Sequence, residues 1–307
     1  MNKRVLESYF NILEYKKRPS GLDKYLLCPS IRRLKQVGYF CGMDYASKEI
    51  YDFSEKISRY DHSLTVALIV WNLTKDMKMT LAGLFHDIAT PCFSHVIDYM
   101  NKDYEKQEST EEKTGDILKS DTYLLECLKA DNISIDEVID FKKYSIVDLD
   151  RPMLCADRLD GVILTGLFWT KSINIDDVEK IISDLLIVKN ENNQDEIAFR
   201  TNSVAKLVLE TSKVIDIYCH SNEDNYMMEL LAKITRRAIY LNVISYDDLF
   251  ILDESEIFER LDMSNDIELN YDLNLFRNIR ADLIPKQDMP YVKVRNLNPL
   301  VHYIRLR

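Results

Sequence analysis

Glycine and proline are scarce in this chain, seven of each in 307 residues. That scarcity argues against a collagen-like, low-complexity or turn-rich all-β protein. The last glycine is Gly166, and the long glycine-free remainder reads as mostly helix. No apolar run approaches the ~20 residues that a membrane-spanning helix needs. The N-terminal stretch MNKRVLESYFNILEYKKRP lacks the apolar centre of a signal peptide. The six cysteines are scattered with no Cys-x-x-Cys pair, so reduced, core-packed thiols and a cytoplasmic location are expected. No glycine-rich phosphate loop occurs, which excludes a P-loop enzyme. Positive charge is also short, 40 Lys+Arg against 51 Asp+Glu for a net charge of −11. A broad footprint for nucleic acid or an anionic membrane is therefore not expected.

What is present is a globular balance, 46% hydrophobic and 30% charged, with enough length for a sizeable core. The pattern predicts a mainly α protein: a helical bundle, a helical C-terminal extension and a minor β element. Residues 61–73 (DHSLTVALIVWNL) are apolar almost all round and predict a buried helix. Residues 79–89 (MTLAGLFHDIA) predict the next, stopped by Pro91, with a short helix from His95 to about Met100. Ser109-Thr110-Glu111-Glu112 has capping-box spacing and predicts a helix start. Further helices are expected at 121–130 and 134–143. Pro152 suits the first turn of a helix carrying Met153 to Leu167, and 173–188 reads as another. The polar stretch 189–202 separates a core, 1–188, from an extension, 189–307. A strand is expected from Glu196 to Arg200, then helices at 203–219 and 225–242. Tyr291 to Arg295 alternates like a strand; Lys293, Arg295, Arg305 and Arg307 are expected on a solvated edge, the alternative being contact with a nucleotide or a neighbouring subunit.

Histidine is rarer still, five in all, yet His62, His86 and His95 lie close together in the chain. His62 opens one buried helix, and His86 sits late in the next with Asp87 directly after it. Adjacent helical residues point about 100° apart, so His86 and Asp87 share a target only in a seam between helices. Asp157 lies in the apolar helix MLCADRLDGVILTGL, where an unpartnered carboxylate is costly. One divalent cation would satisfy His62, His86, Asp87 and Asp157 together. Read singly, the histidines suit a packed core and Asp157 an ion pair; the combination favours the cation. Two imidazoles and two carboxylates suit Mn²⁺, Fe²⁺, Ni²⁺, Co²⁺ or Zn²⁺, with Mg²⁺ less favoured by the nitrogens. Four protein ligands in an octahedral sphere leave room for water and a phosphate oxygen, which phosphate-ester hydrolysis requires.

At these residues the sequence resembles the HD superfamily of metal-dependent phosphohydrolases, named for the His-Asp pair. Within it, the chain looks most like the deoxynucleoside triphosphate triphosphohydrolases. IRRLKQVG at 31–38 is similar to the segment preceding that family's first ligand, and RYDHSL at 59–64 to its Arg-aromatic-acid-His-Ser-Leu stretch. LFHDI at 84–88, FSH at 93–95 and DRLD at 157–160 match its remaining blocks in order. The likeness spans roughly residues 28–168. It implies the same four metal ligands, Arg59 on phosphate, Gln36 on the sugar, and His95, Asp98 and Asp160 at the substrate. It also implies a homo-oligomer. Three positions depart: Thr90 and Gln107 stand where the family has histidines, and Gly161 where it has a tyrosine packing on the sugar. Glu108 and His95 are then the candidates for proton transfer. The expected activity is attack of water on a nucleotide phosphorus. The alternative is a sensor that binds metal and nucleotide without turnover.

Overall fold

The computed structural model describes residues 4–14, 17–104, 113–286 and 293–306. The expected capping box at 109–112, Gln107, Glu108, Tyr291, Val292 and Arg307 lie outside them. α1 (Val5–Glu14), α2 (Leu22–Tyr25) and α3 (Pro29–Arg33) precede the long α4 (Arg59–Thr74) and α5 (Met77–Phe85). Then come α6 (Val96–Asn101), α7 (Thr114–Ser120), α8 (Thr122–Ala130), α9 (Asp136–Ile139), α10 (Ala156–Phe168) and α11 (Ile175–Asp184). The hairpin β1 (Leu185–Lys189) and β2 (Asp195–Phe199) leads to α12 (Asn202–Cys219) and α13 (Asn222–Tyr240). α14 (Asp248–Ile251), α15 (Glu254–Asp262), α16 (Ile267–Asn278), β3 (Leu300–Val301) and β4 (Ile304–Arg305) complete the order. The protein is mainly helical with one small sheet, as its composition predicts. The sheet runs β1-β2-β3-β4, with only the β2–β3 pair parallel. Among the described residues, no helix is long and apolar enough to cross a membrane.

The start of α4 is fixed by a reciprocal cap. Ser58 Oγ accepts from the Asp61 amide, and the Asp61 carboxylate accepts from the Ser58 amide. Beyond the cap, Leu64 to Val70 are all buried, as expected for a helix that is apolar all round. Two expected helices differ in the structure. The one at 173–188 stops at Asp184, because the apolar LLIVK segment pairs antiparallel with β2, Leu185 opposite Phe199. The other does not contain Pro152. Arg158 donates to the carbonyls of Leu149 and Met153, which fixes that stretch as a loop, and α10 begins only at Ala156. The tail differs too: 293–299 is not a strand, and the β element follows at 300–305.

Two hydrophobic cores result. Leu64, Phe85, Ile163 and Val208 belong to the larger, built chiefly on α4, α5, α10 and α12. The smaller combines Met227, Leu231, Ile257 and Phe276 with Val37, Met43 and Phe93. It thus draws on chain from both sides of residue 189. Phe53 and Trp169 pack against both cores, so the seam between them is lined with aromatic rings.

Arg305 is not on a solvated edge. It meets the fully buried Glu196 of β2 with two hydrogen bonds, 2.7 and 2.8 Å, and reaches Glu191 as well. Removing the guanidinium would leave a buried carboxylate without its charge partner, held only by the Leu154 amide and Asn190 Nδ2. Arg305→Ala is expected to destabilise the protein by about 3–5 kcal/mol, measured as a lower midpoint in urea unfolding. A change below 1 kcal/mol would show that Glu196 finds another partner.

Candidate metal centre

α5 ends at Phe85, three or four residues earlier than its sequence suggests, and His86 is its C-cap. The His86 ring closes the helix end, with Nδ1 2.7 Å from the Gly83 carbonyl, one of the acceptors a helix terminus leaves open. Asp87 therefore sits in a turn, free of the helical offset that would have aimed it away from His86. From α4, His62 faces the same point. His62 Nε2 lies 3.3 Å from His86 Nε2, 3.1 Å from Asp157 Oδ1 and 3.7 Å from Asp87 Oδ2. His86 Nε2 lies 3.5 Å from Asp157 Oδ1 and 3.8 Å from Asp87 Oδ2. Donor atoms held about 2.0–2.2 Å from one ion stand about 3.0–3.5 Å apart; the two imidazoles and Asp157 have that spacing, Asp87 stands slightly farther off, and His62, His86 and Asp87 form one group of close ligand atoms able to hold a cation.

The tautomers make the same point. His62 Nδ1 is 2.7 Å from Asp160 Oδ2, and a carboxylate accepts only, so Nδ1 carries the proton. His86 Nδ1 donates likewise to a carbonyl. Both Nε2 atoms then present lone pairs to each other at 3.3 Å, an arrangement that needs a cation or a proton between them. Without metal, protons fill that role. Burial works against a charged His62, but the Asp157 and Asp160 hydrogen bonds and the Asp87 charge outweigh it and raise its pKa to about 10. His86 is raised too, burial being overcome by Asp87 and Asp157. Asp87 and Asp157 are held below the usual carboxylate range. Burial opposes this, but His86 and Arg59 overcome it at Asp87, and His62 and His86 at Asp157.

Asp160 was expected at the substrate. It is instead fully buried behind His62, accepting from Tyr9 Oη at 2.6 Å and Thr65 Oγ1 at 2.8 Å. Support of this kind fixes the ring and raises its basicity toward metal. Gln36 is exposed and is not among the residues walling the cavity in front of the metal cluster. Asp98 is buried and stands behind His95, 2.9 Å from its Nδ1. His95 itself lines the cavity, on a corner where Phe93 and Ser94 both have positive φ. Glu254 steadies that corner by accepting from the Phe93 amide. Arg59 is anchored at 2.9 Å to Asp87 and 3.2 Å to Ser94 Oγ, with its guanidinium stacked 5.0 Å from the Tyr39 ring centre. Thr90 also faces the cavity. Glu108 lies outside the described residues.

The cavity has a volume of about 610 Å³ and opens directly on the four donors. Its walls carry six cationic side chains, Arg59, Lys142, Arg151, Arg158, Lys293 and Arg295, beside five aspartates, Asp87, Asp148, Asp150, Asp157 and Asp224. The sequence makes Arg59, Lys293 and Arg295 candidates for nucleotide contact; Lys142 and Arg151 carry no local signal that ties them to the site. Asp148, Cys155 and Asp157 form a second group of close ligand atoms, but Arg158 lies 4.0 Å from Asp148 and offsets its charge.

Residues 59–150 match the family model described as HD domain, a span that contains His62, His86 and Asp87 and ends before Asp157. This segment is similar to an HD domain. The wider chain is 25% identical over 294 residues to the uncharacterized protein YdhJ of Bacillus subtilis, covering 91% of this chain and 83% of that one. It is 28% identical over 130 residues to the metal-dependent phosphohydrolase cns2 of Cordyceps militaris, covering 42% of this chain and 37% of the fungal protein. A hypothetical protein from Aquifex aeolicus, solved by crystallography, superposes with a TM-score of 0.59 at 19% identity. That alignment covers 84% of this chain and 71% of the other, and it speaks to the fold.

Two outcomes are expected for metal binding at this candidate centre. Binding must displace protons from His62 and His86, so apparent affinity should rise with pH. One displaced proton gives about tenfold per pH unit, measured by titration calorimetry between pH 6 and 8; a flat profile would contradict the assigned tautomers. Asp160→Asn keeps the shape and removes the charge behind His62. It should weaken metal binding by about tenfold or more, while a bystander at that position would leave affinity unchanged.

Proposed function

We propose that this protein is a metal-dependent phosphohydrolase acting on a nucleotide, with a reaction of the deoxynucleoside triphosphate triphosphohydrolase type. The supporting observation is one juxtaposition: two imidazole lone pairs with Asp87 and Asp157 beside them, in a cavity that Arg59, Lys142, Arg151 and Arg295 also line. The phosphohydrolase name of the Cordyceps relative agrees with it.

His62, His86, Asp87 and Asp157 would hold the cation, which when bound acidifies water and polarises a phosphoryl group. The chain's own residues do the rest. Arg59, fixed on three sides, presents its planar guanidinium toward the phosphate. Lys142, Arg151 and Arg295 add charge along the wall and favour a polyanionic substrate. His95 donates its Nδ1 proton to Asp98, leaving Nε2 as an acceptor. Burial lowers its pKa and the charges of Arg59 and Arg295 lower it further, against the pull of Asp98. His95 is therefore neutral at pH 7 and suited to take a proton from the attacking water and return it to the leaving oxygen. This acceptor favours turnover over the sensor reading.

The test is release of phosphate or polyphosphate from a panel of nucleotides, deoxynucleotides and simple phosphate esters, with protein reconstituted separately with Mn²⁺, Fe²⁺, Co²⁺, Ni²⁺, Zn²⁺ and Mg²⁺. Asp87→Ala should abolish release while the fold is retained by circular dichroism. His95→Gln should lower kcat by about 10²–10⁴-fold and remove an acidic limb that lies below the usual histidine pKa of about 6.5. Absence of release with every metal and ester would overturn the reading.

A further inference from the structure

The cavity continues past the metal cluster into the seam between the two cores, and there its character changes. Phe40 and Phe53 stack with ring centres 4.1 Å apart, and the Trp169 ring lies 6.2 Å from Phe53 and 5.8 Å from Tyr51. All four rings line the same cavity as the metal ligands. Trp169 and Phe53 are only half-buried, so their surfaces remain available to an incoming ring. A flat aromatic group is what such walls take up best.

One acidic side chain faces this apolar lobe. Asp224 lines the cavity, and its Oδ1 accepts from the buried Tyr51 hydroxyl at 2.6 Å. Its place in the first turn of α13 makes negative charge tolerable there. It does not explain why that charge is set among Tyr51, Phe53 and Trp169. Burial lifts the Asp224 pKa to about 6, against the pull of Tyr51, Arg295 and His220, so near pH 7 it is mostly ionised and poorly hydrated. A carboxylate only accepts hydrogen bonds and has capacity beyond the one from Tyr51. Arg295, half-buried and within electrostatic reach of Asp224, Tyr39 and Cys41, supplies positive charge on the cavity wall.

We propose that this lobe is a nucleobase subsite in which Asp224, oriented by Tyr51, selects bases that present an exocyclic amino group toward it. The assignment rests on the phosphohydrolase reading only for the position of the phosphate. The ring slot and its acceptor stand on their own geometry. Adenine and cytosine offer an N–H₂ donor where hypoxanthine and uracil offer a carbonyl acceptor. A carbonyl facing the Asp224 carboxylate would leave two acceptors opposed in a desolvated slot, which is how a hydrogen-bonding site rejects a near-isostere.

The experiment uses nucleosides, so that no phosphate chemistry enters. Metal-loaded protein is titrated by calorimetry with adenosine, inosine, cytidine and uridine. Adenosine should bind at least tenfold tighter than inosine, and cytidine at least tenfold tighter than uridine. Asp224→Asn, whose amide can donate to a carbonyl, should bring each pair within about twofold, and Tyr51→Phe should narrow the preference. The wild-type comparison needs no variant, so it decides even if Asp224→Asn fails to fold. Equal affinities within both pairs, or no binding of any of the four, would overturn the subsite whatever the protein's activity. Clear preference without release of phosphate or polyphosphate from any nucleotide or ester would keep the subsite and overturn the proposed reaction instead.

Discussion

Two imidazole nitrogens held with their lone pairs 3.3 Å apart are the constraint on which the rest of this structure turns. Neither can donate to the other, because each ring has already committed its proton at Nδ1. The two carboxylates beside them, Asp87 and Asp157, deepen the negative potential rather than relieve it. Such a cluster persists only where a cation or protons complete it. The surrounding chain is arranged accordingly: the Ser58 cap fixes where α4 begins and so where His62 points, and Asp160, Tyr9 and Thr65 lock its ring from behind.

The second organising feature is the seam. A single core of this size would bury its centre completely. Here the helices after residue 222 gather Val37, Met43 and Phe93 into a core of their own, and the space between the cores remains as a cavity. The metal cluster occupies the floor on the side of the larger core. Arg59 and Tyr39 stand next to it, and aromatic rings shared by both cores form the far wall. Charge follows the same gradient. The chain is acidic overall, yet the middle of the cavity gathers arginines and lysines from four separate stretches of chain.

Much of this was legible from residue patterns. The all-round apolar character of 61–73 marked α4 as buried, and four candidate metal ligands were picked out by residue chemistry: histidines and aspartates in stretches too apolar to hold them unpaired. Where the reading and the structure part, tertiary packing is the cause. The helix at 173–188 gave up its last turn to a strand because β2 offered a ladder. Pro152 lies outside α10 because Arg158 captures the carbonyls before it. Asp157 and Asp160 are three residues apart on one helix, both near His62. Only the direction in which α10 meets α4 makes one face the cluster and the other support it.

The sequence by itself determined the helical class, the buried character of the central helices and the chemical identity of the four donors. These depend on local periodicity and on what each side chain can do. The tertiary structure alone decided that His86 and Asp87 leave the helix and aim at one point, that Gln36 stands outside the cavity, and that Arg295 and Asp224 enter it. Those facts depend on how segments far apart in the chain pack against each other, and no local pattern of residues encodes that geometry.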